Sequence, residues 1–146
     1  MSEEAELRYF EDLEVGETVE LGSTTVTADE IVDFARRYDP QPFHLRGADD
    51  LIASGWHTTA VCMRLLVDGF LGGVASAPAL GVDNLRWRTP VRPGDTLTAT
   101  VTVADTDDWS DDRGLVSGRL EAENDRGEEV LTRTDLVLFE RRPGGG

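Results

Sequence analysis

Lysine is absent from this chain: all 14 basic residues are arginine. Against them stand 29 aspartates and glutamates, for a net charge of -15. A surface this acidic repels nucleic acid and anionic membrane at ordinary salt, so neither is an expected partner. Two readings of the charge stay open. One is adaptation to a salt-rich cytoplasm, where screening relieves self-repulsion; the other is an acidic protein written with arginine-favouring codons. Cysteine is nearly absent too. Cys62 stands alone, which excludes an intrachain disulfide, and its place in an apolar helix predicts an inert buried thiol. The two histidines, His44 and His57, lie in separate segments and offer no metal-ligand spacing. No glycine-rich phosphate loop occurs, so neither a metal nor a cofactor is expected. No apolar run approaches the roughly 20 residues of a membrane span. The opening MSEEAELRYF is acidic and lacks the apolar core of a signal peptide. The expectation is a soluble cytoplasmic protein.

What is present suits one domain of 146 residues, without repeats or long linkers. Thr18 to Thr25 alternates loosely and predicts a strand. Thr27-Ala28-Asp29-Glu30 fits a capping box, and Ile31, Phe34 and Ala35 continue a helical apolar stripe. Pro40 disfavours helical geometry at Asp39, so this helix stops by Tyr38 or Asp39. Leu51 to Leu71 is apolar around most of its circumference, the mark of a buried helix. It should run from about Ser54 to Leu71, where Gly72-Gly73 ends it. Ala79 to Arg88, Thr96 to Asp105, Gly114 to Asn124 and Val130 to Glu140 then read as strands. Short connections make these neighbours antiparallel. The class is α+β, a sheet wrapped on one central helix. The domain spans residues 1–140, and 141–146 form a flexible tail.

Asp39-Pro40-Gln41-Pro42-Phe43-His44 places a carboxylate, an amide and an imidazole between two prolines. Fully extended, the segment would separate its ends by roughly 15 Å. Proline permits a bend that brings both ends to one water molecule, which a carboxylate and an imidazole can polarise together. The plainer reading is a helix stop and a turn. Asp39 follows a helix C-terminus, whose dipole disfavours a carboxylate and so predicts a raised pKa. Near the start of the second helix, Ser54-Gly55 presents free N–H groups able to hold an oxyanion, while glycine equally permits close packing. Arg86 and Arg88 share a strand face that suits either solvent or a phosphate.

With Tyr38 to His44, Ile52-Ala53-Ser54-Gly55-Trp56-His57 and Pro90-Val91-Arg92-Pro93-Gly94-Asp95, the chain from about Tyr9 to Phe139 resembles the MaoC-like dehydratases of the hotdog fold, of the R-specific enoyl-CoA hydratase type. The resemblance implies reversible addition of water to a trans-2-enoyl-CoA to give a 3-hydroxyacyl-CoA. It implies Asp39 and His44 as the catalytic pair, the Gly55 N–H as oxyanion donor, and Gln41, Ser54, Trp56 and His57 against the substrate. It implies an acyl-CoA or acyl-carrier thioester as partner, and a homodimer. For His57, a place in the core or against a second copy stays open. A hotdog thioesterase and a non-catalytic acyl-thioester accessory protein are the competing functions. The stretch Leu45 to Asp50 is shorter than in relatives, which predicts an open pocket rim and weak selectivity for acyl length.

Overall fold

The computed structural model describes residues 7–144. Met1 to Glu6, most of the acidic opening, and Gly145–Gly146 of the expected tail lie outside the described residues. Five strands form one sheet in the order β1-β3-β4-β5-β2, every pair antiparallel. They are β1 Thr18–Thr25, β2 Ser76–Trp87, β3 Thr96–Asp108, β4 Arg113–Glu123 and β5 Glu129–Glu140. Among the described residues the α-helices are α1 Ala28–Tyr38 and α2 Gly55–Gly69, with a short 3-10 turn between them. Period-two patterning explains β3, where Leu97, Ala99, Val101 and Val103 all face the core. A five-strand sheet needs a cover for that face, and α2 supplies it with Cys62, Leu65 and Leu66.

Two local devices set the helices. Thr27 Oγ1 accepts from the Glu30 N–H at 3.2 Å, and Glu30 Oε1 accepts from the Thr27 N–H at 3.0 Å. This capping box starts α1, and Ile31, Val32 and Ala35 are its buried face. Gly69, at the other end of α2, lies so near the Leu21 backbone that a Cβ there would stand 2.8 Å from its Cα. Leu21 sits at the irregularity in the β1–β3 register, which turns its side chain into the core.

The structure bears on sequence expectation in three places. The apolar circumference of α2 predicts burial all round, yet Met63 and Val67 stay exposed on the side facing β2. Leu80 and Val82 of β2 are exposed beside them, and β2 forms the sheet edge. Within the stretch expected to be a flexible tail, Arg141 and Arg142 are held by hydrogen bonds. The Arg141 N–H donates to Asp112 O at 2.9 Å, and the Arg142 N–H donates to Glu11 Oε1 at 2.9 Å. Finally, β5 carries a buried ion pair that strand patterning does not reveal. Arg133 Nε donates to Asp135 Oδ2 at 3.0 Å and its Nη1 to the Thr59 carbonyl at 2.8 Å, tying sheet to helix. Burial holds the Asp135 carboxyl above its ordinary value and outweighs the guanidinium beside it.

Candidate active site

Pro40 and the C-terminus of α1 create the first wall of the site. The Asp39 N–H caps α1 on Ala35 O at 2.9 Å, and the chain then leaves helical geometry. Pro42 to His44 form one turn of 3-10 helix, with the His44 N–H on Gln41 O at 2.9 Å. That turn folds the segment back on itself. His44 Nε2 ends 3.4 Å from Asp39 Oδ2, far closer than an extended segment allows.

The two groups are fixed from behind. His44 is buried, and its Nδ1 lies 2.7 Å from the Ile52 carbonyl. A carbonyl only accepts, so Nδ1 carries the proton and Nε2 of the neutral ring is an acceptor. Asp39 Oδ2 accepts from the Ser54 hydroxyl at 2.7 Å, and Oδ1 accepts from Gln41 Nε2 at 2.5 Å. Those two donors, Ser54 first, hold the Asp39 carboxyl below its ordinary value. The raised pKa expected from the α1 dipole is therefore corrected. Two direct hydrogen bonds to the charged form outweigh a helix terminus that acts only through half a charge.

Ser54 also caps α2, its Oγ accepting from the Trp56 N–H at 3.3 Å. The Gly55 N–H meets no acceptor among the described residues and stands free at the positive end of α2. Close packing is equally real at Gly55. Trp87 lies flat against it, and a Cβ would stand 2.3 Å from Trp87 Cδ2. Nothing in the alternation of β2 marks Trp87 for this contact. Its indole N–H donates to Thr59 Oγ1 at 2.9 Å, and that hydroxyl donates to Gly55 O at 2.8 Å.

Asp39, Gln41, His44, Gly55 and Trp56 line one pocket of about 370 Å³, together with Trp87. Ser54 is fully buried outside that lining and touches it through its hydrogen bond to Asp39. His57 is not brought to this pocket. It stacks on Phe34 of α1, ring centroids 5.0 Å apart, and its Nδ1 is buried without a partner among the described residues. One residue past Trp56 on a helix, its side chain points to α1 and stays outside that lining. Burial holds its imidazole below the ordinary value, against a weaker pull from Glu30. Cys62 is buried, and burial pushes its thiol up to about 11, as an inert core thiol requires. Arg88 donates to Thr132 Oγ1 at 3.2 Å, and Arg86 donates to the neighbouring Leu85 carbonyl.

Residues 11–125 match the model of the MaoC like domain. The chain belongs to the MaoC-like family. Within it, an (R)-specific enoyl-CoA hydratase from Rhodospirillum rubrum is 32% identical over 103 residues, 66% of this chain and 70% of that protein. The crystal structure of a MaoC-like dehydratase from Rhodospirillum rubrum superposes with a TM-score of 0.81 at 39% identity, covering 92% of this chain and 98% of the other. A Mycobacterium tuberculosis protein described as a double hotdog fold shares the architecture, with a TM-score of 0.74 at 18% identity over 96% of this chain and 46% of its own. The sheet wrapped on α2 is thus a hotdog fold, and the loop from Asp39 to His44 of this MaoC-like chain lies inside the matched span. Among the described residues, no helix is long and apolar enough to cross a membrane.

Proposed function

We propose that the chain is an enoyl-thioester hydratase, adding water reversibly to a trans-2-enoyl-CoA to give the 3-hydroxyacyl-CoA. The observation that carries this reading is the pairing of His44 Nε2 with Asp39 Oδ2, both acceptors, 3.4 Å apart on one pocket wall. One water can donate one hydrogen to each. Its oxygen is then enriched in electron density and oriented by two fixed groups. Asp39, kept ionised by Ser54 and Gln41, takes the proton as the water oxygen bonds to Cβ. The π electrons move toward the thioester oxygen, where the free Gly55 N–H at the start of α2 stabilises the enolate. The proton taken from water is the one that Cα needs, so the addition balances without an outside acid. A low carboxylate pKa makes Asp39 a modest base, and His44 shares the load.

The same reading includes a homodimer. Among the described residues no strand pairs with the outer edge of β2, and Met63, Val67, Leu80 and Val82 form an exposed apolar face next to it. A second copy pairing along β2 would satisfy the edge and roof that face.

Incubation with crotonyl-CoA tests the function. Loss of the conjugated double bond with no free thiol is the expected result. Release of free coenzyme A would assign a thioesterase instead, and binding without turnover an accessory protein.

A further inference from the structure

Two depressions meet at one side chain. The catalytic pocket of about 370 Å³ ends against Trp56. On the other side of the same residue lies an apolar groove of about 840 Å³, between α2 and β2, lined by Met63, Leu66, Leu80 and Val82. Trp87 completes the partition. Its ring meets Trp56 edge to face, centroids 5.1 Å apart and planes at 80°. Trp87 is locked by its hydrogen bond to Thr59, which itself lines the groove, and by its seat on Gly55. Both tryptophans are about half exposed, but the Trp56 indole N–H, unlike that of Trp87, has no partner among the described residues. One ring is thus a fixed post, the other a wall leaning on it.

We propose that Trp56, braced by Trp87, is the residue that sets acyl-chain length, by closing the catalytic pocket toward the apolar groove. The inference rests on the thioester reading above and adds the class of substrate: enoyl thioesters with short acyl chains. It also reverses the consequence drawn from the short Leu45–Asp50 stretch. A rim left open by that loop does not relax selectivity when a pair of indoles stands across the path of the tail. Beyond Trp56 lies the apolar face that a second copy would roof, so methylene groups passing the partition would be buried between the two copies. Aromatic rings suit the task, because edge-to-face contact holds a rigid plane with few rotatable bonds.

Affinities of butyryl-CoA and octanoyl-CoA, neither of which can be hydrated, test this by calorimetry on the full chain in its native state. Transfer of one methylene group from water to an apolar site is worth about fourfold in affinity. In the unaltered protein octanoyl-CoA should gain nothing over butyryl-CoA, despite its longer tail. In Trp56→Ala the ratio of octanoyl to butyryl affinity should rise by roughly tenfold or more. Trp87→Phe keeps a ring but loses the bond to Thr59, and should shift the ratio in the same direction by less. A general folding defect weakens both ligands together and leaves the ratio unmoved, so it cannot imitate the result. An unchanged ratio in Trp56→Ala, or octanoyl-CoA already far tighter in the unaltered protein, overturns the inference while hydration of crotonyl-CoA upholds the function. Failure of the unaltered protein to bind either thioester overturns both.

Discussion

The Ser54 hydroxyl donates to Asp39 Oδ2 at 2.7 Å, joining the start of α2 to the end of α1. Ser54 Oγ in turn accepts from the Trp56 N–H and caps the helix. One side chain therefore starts the helix whose free N–H faces the pocket and sets the ionisation of the carboxylate beside it. Ser54→Ala should cost about 1 kcal/mol of stability as a lost cap. Because Ser54 is the largest cause of the lowered Asp39 pKa, the variant's acid limb of kcat/KM against pH should move to higher pH. An acid limb that stays in place would show that Asp39 ionisation does not govern the rate.

Asp39 and His44 should behave as one unit. Asp39→Asn keeps the shape and removes the base, so kcat should fall by about 10²–10⁴. His44→Gln should do likewise. The double variant should be little worse than either single one, since groups acting on the same water lose their effect together. Full hydratase activity in a folded Asp39→Asn protein would remove the loop from the chemistry.

His57 should matter for stability in acid, not for turnover. Its folded pKa is lowered by burial, so the unfolded chain binds a proton more readily than the folded one. Stability is then complete above the unfolded pKa, about 6.5, and declines as pH falls through that value. His57→Gln cannot titrate and should melt with less dependence on pH between neutral and mildly acidic buffer. Crotonyl-CoA turnover should survive this change far better than the loss of His44. Identical pH dependence of the two melting curves would place the acid sensitivity elsewhere.

Gly55 answers to Trp87 before it answers to a ligand. A Cβ at that position would overlap the indole, so Gly55→Ala should destabilise by about 1–3 kcal/mol. In a Trp87→Ala background the overlap is gone. There the further change Gly55→Ala should be neutral or favourable, since alanine is the better helix former. An undiminished penalty in that background would mean that the backbone, not the ring, sets the limit.

Salt should raise the melting temperature. With a net charge of -15, screening removes more repulsion than it costs in exposed ion pairs. A melting point that falls between low and molar potassium chloride would end the salt-adaptation reading of the composition.

Local chemistry was legible in the residues themselves. The capping box at Thr27, the stop at Pro40, the alternation of Thr96 to Val103 and the bent proline loop all depend on neighbours in sequence, and each stands where its pattern places it. The α+β class follows from the same periodicities, and the resemblance of the loop carried the family. Tertiary structure alone decided the rest, because the deciding contacts join distant segments. His57 faces Phe34 because α1 packs there, which no spacing within α2 records. The sign of the Asp39 shift reversed because a helix dipole can be read locally, whereas Ser54 reaches Asp39 only after α2 docks. Trp87 meets Gly55 through the placement of an edge strand. The exposed side of α2 has the same origin: hydrophobicity says that a surface must be covered, but only the packing of a single chain shows which part it cannot cover itself.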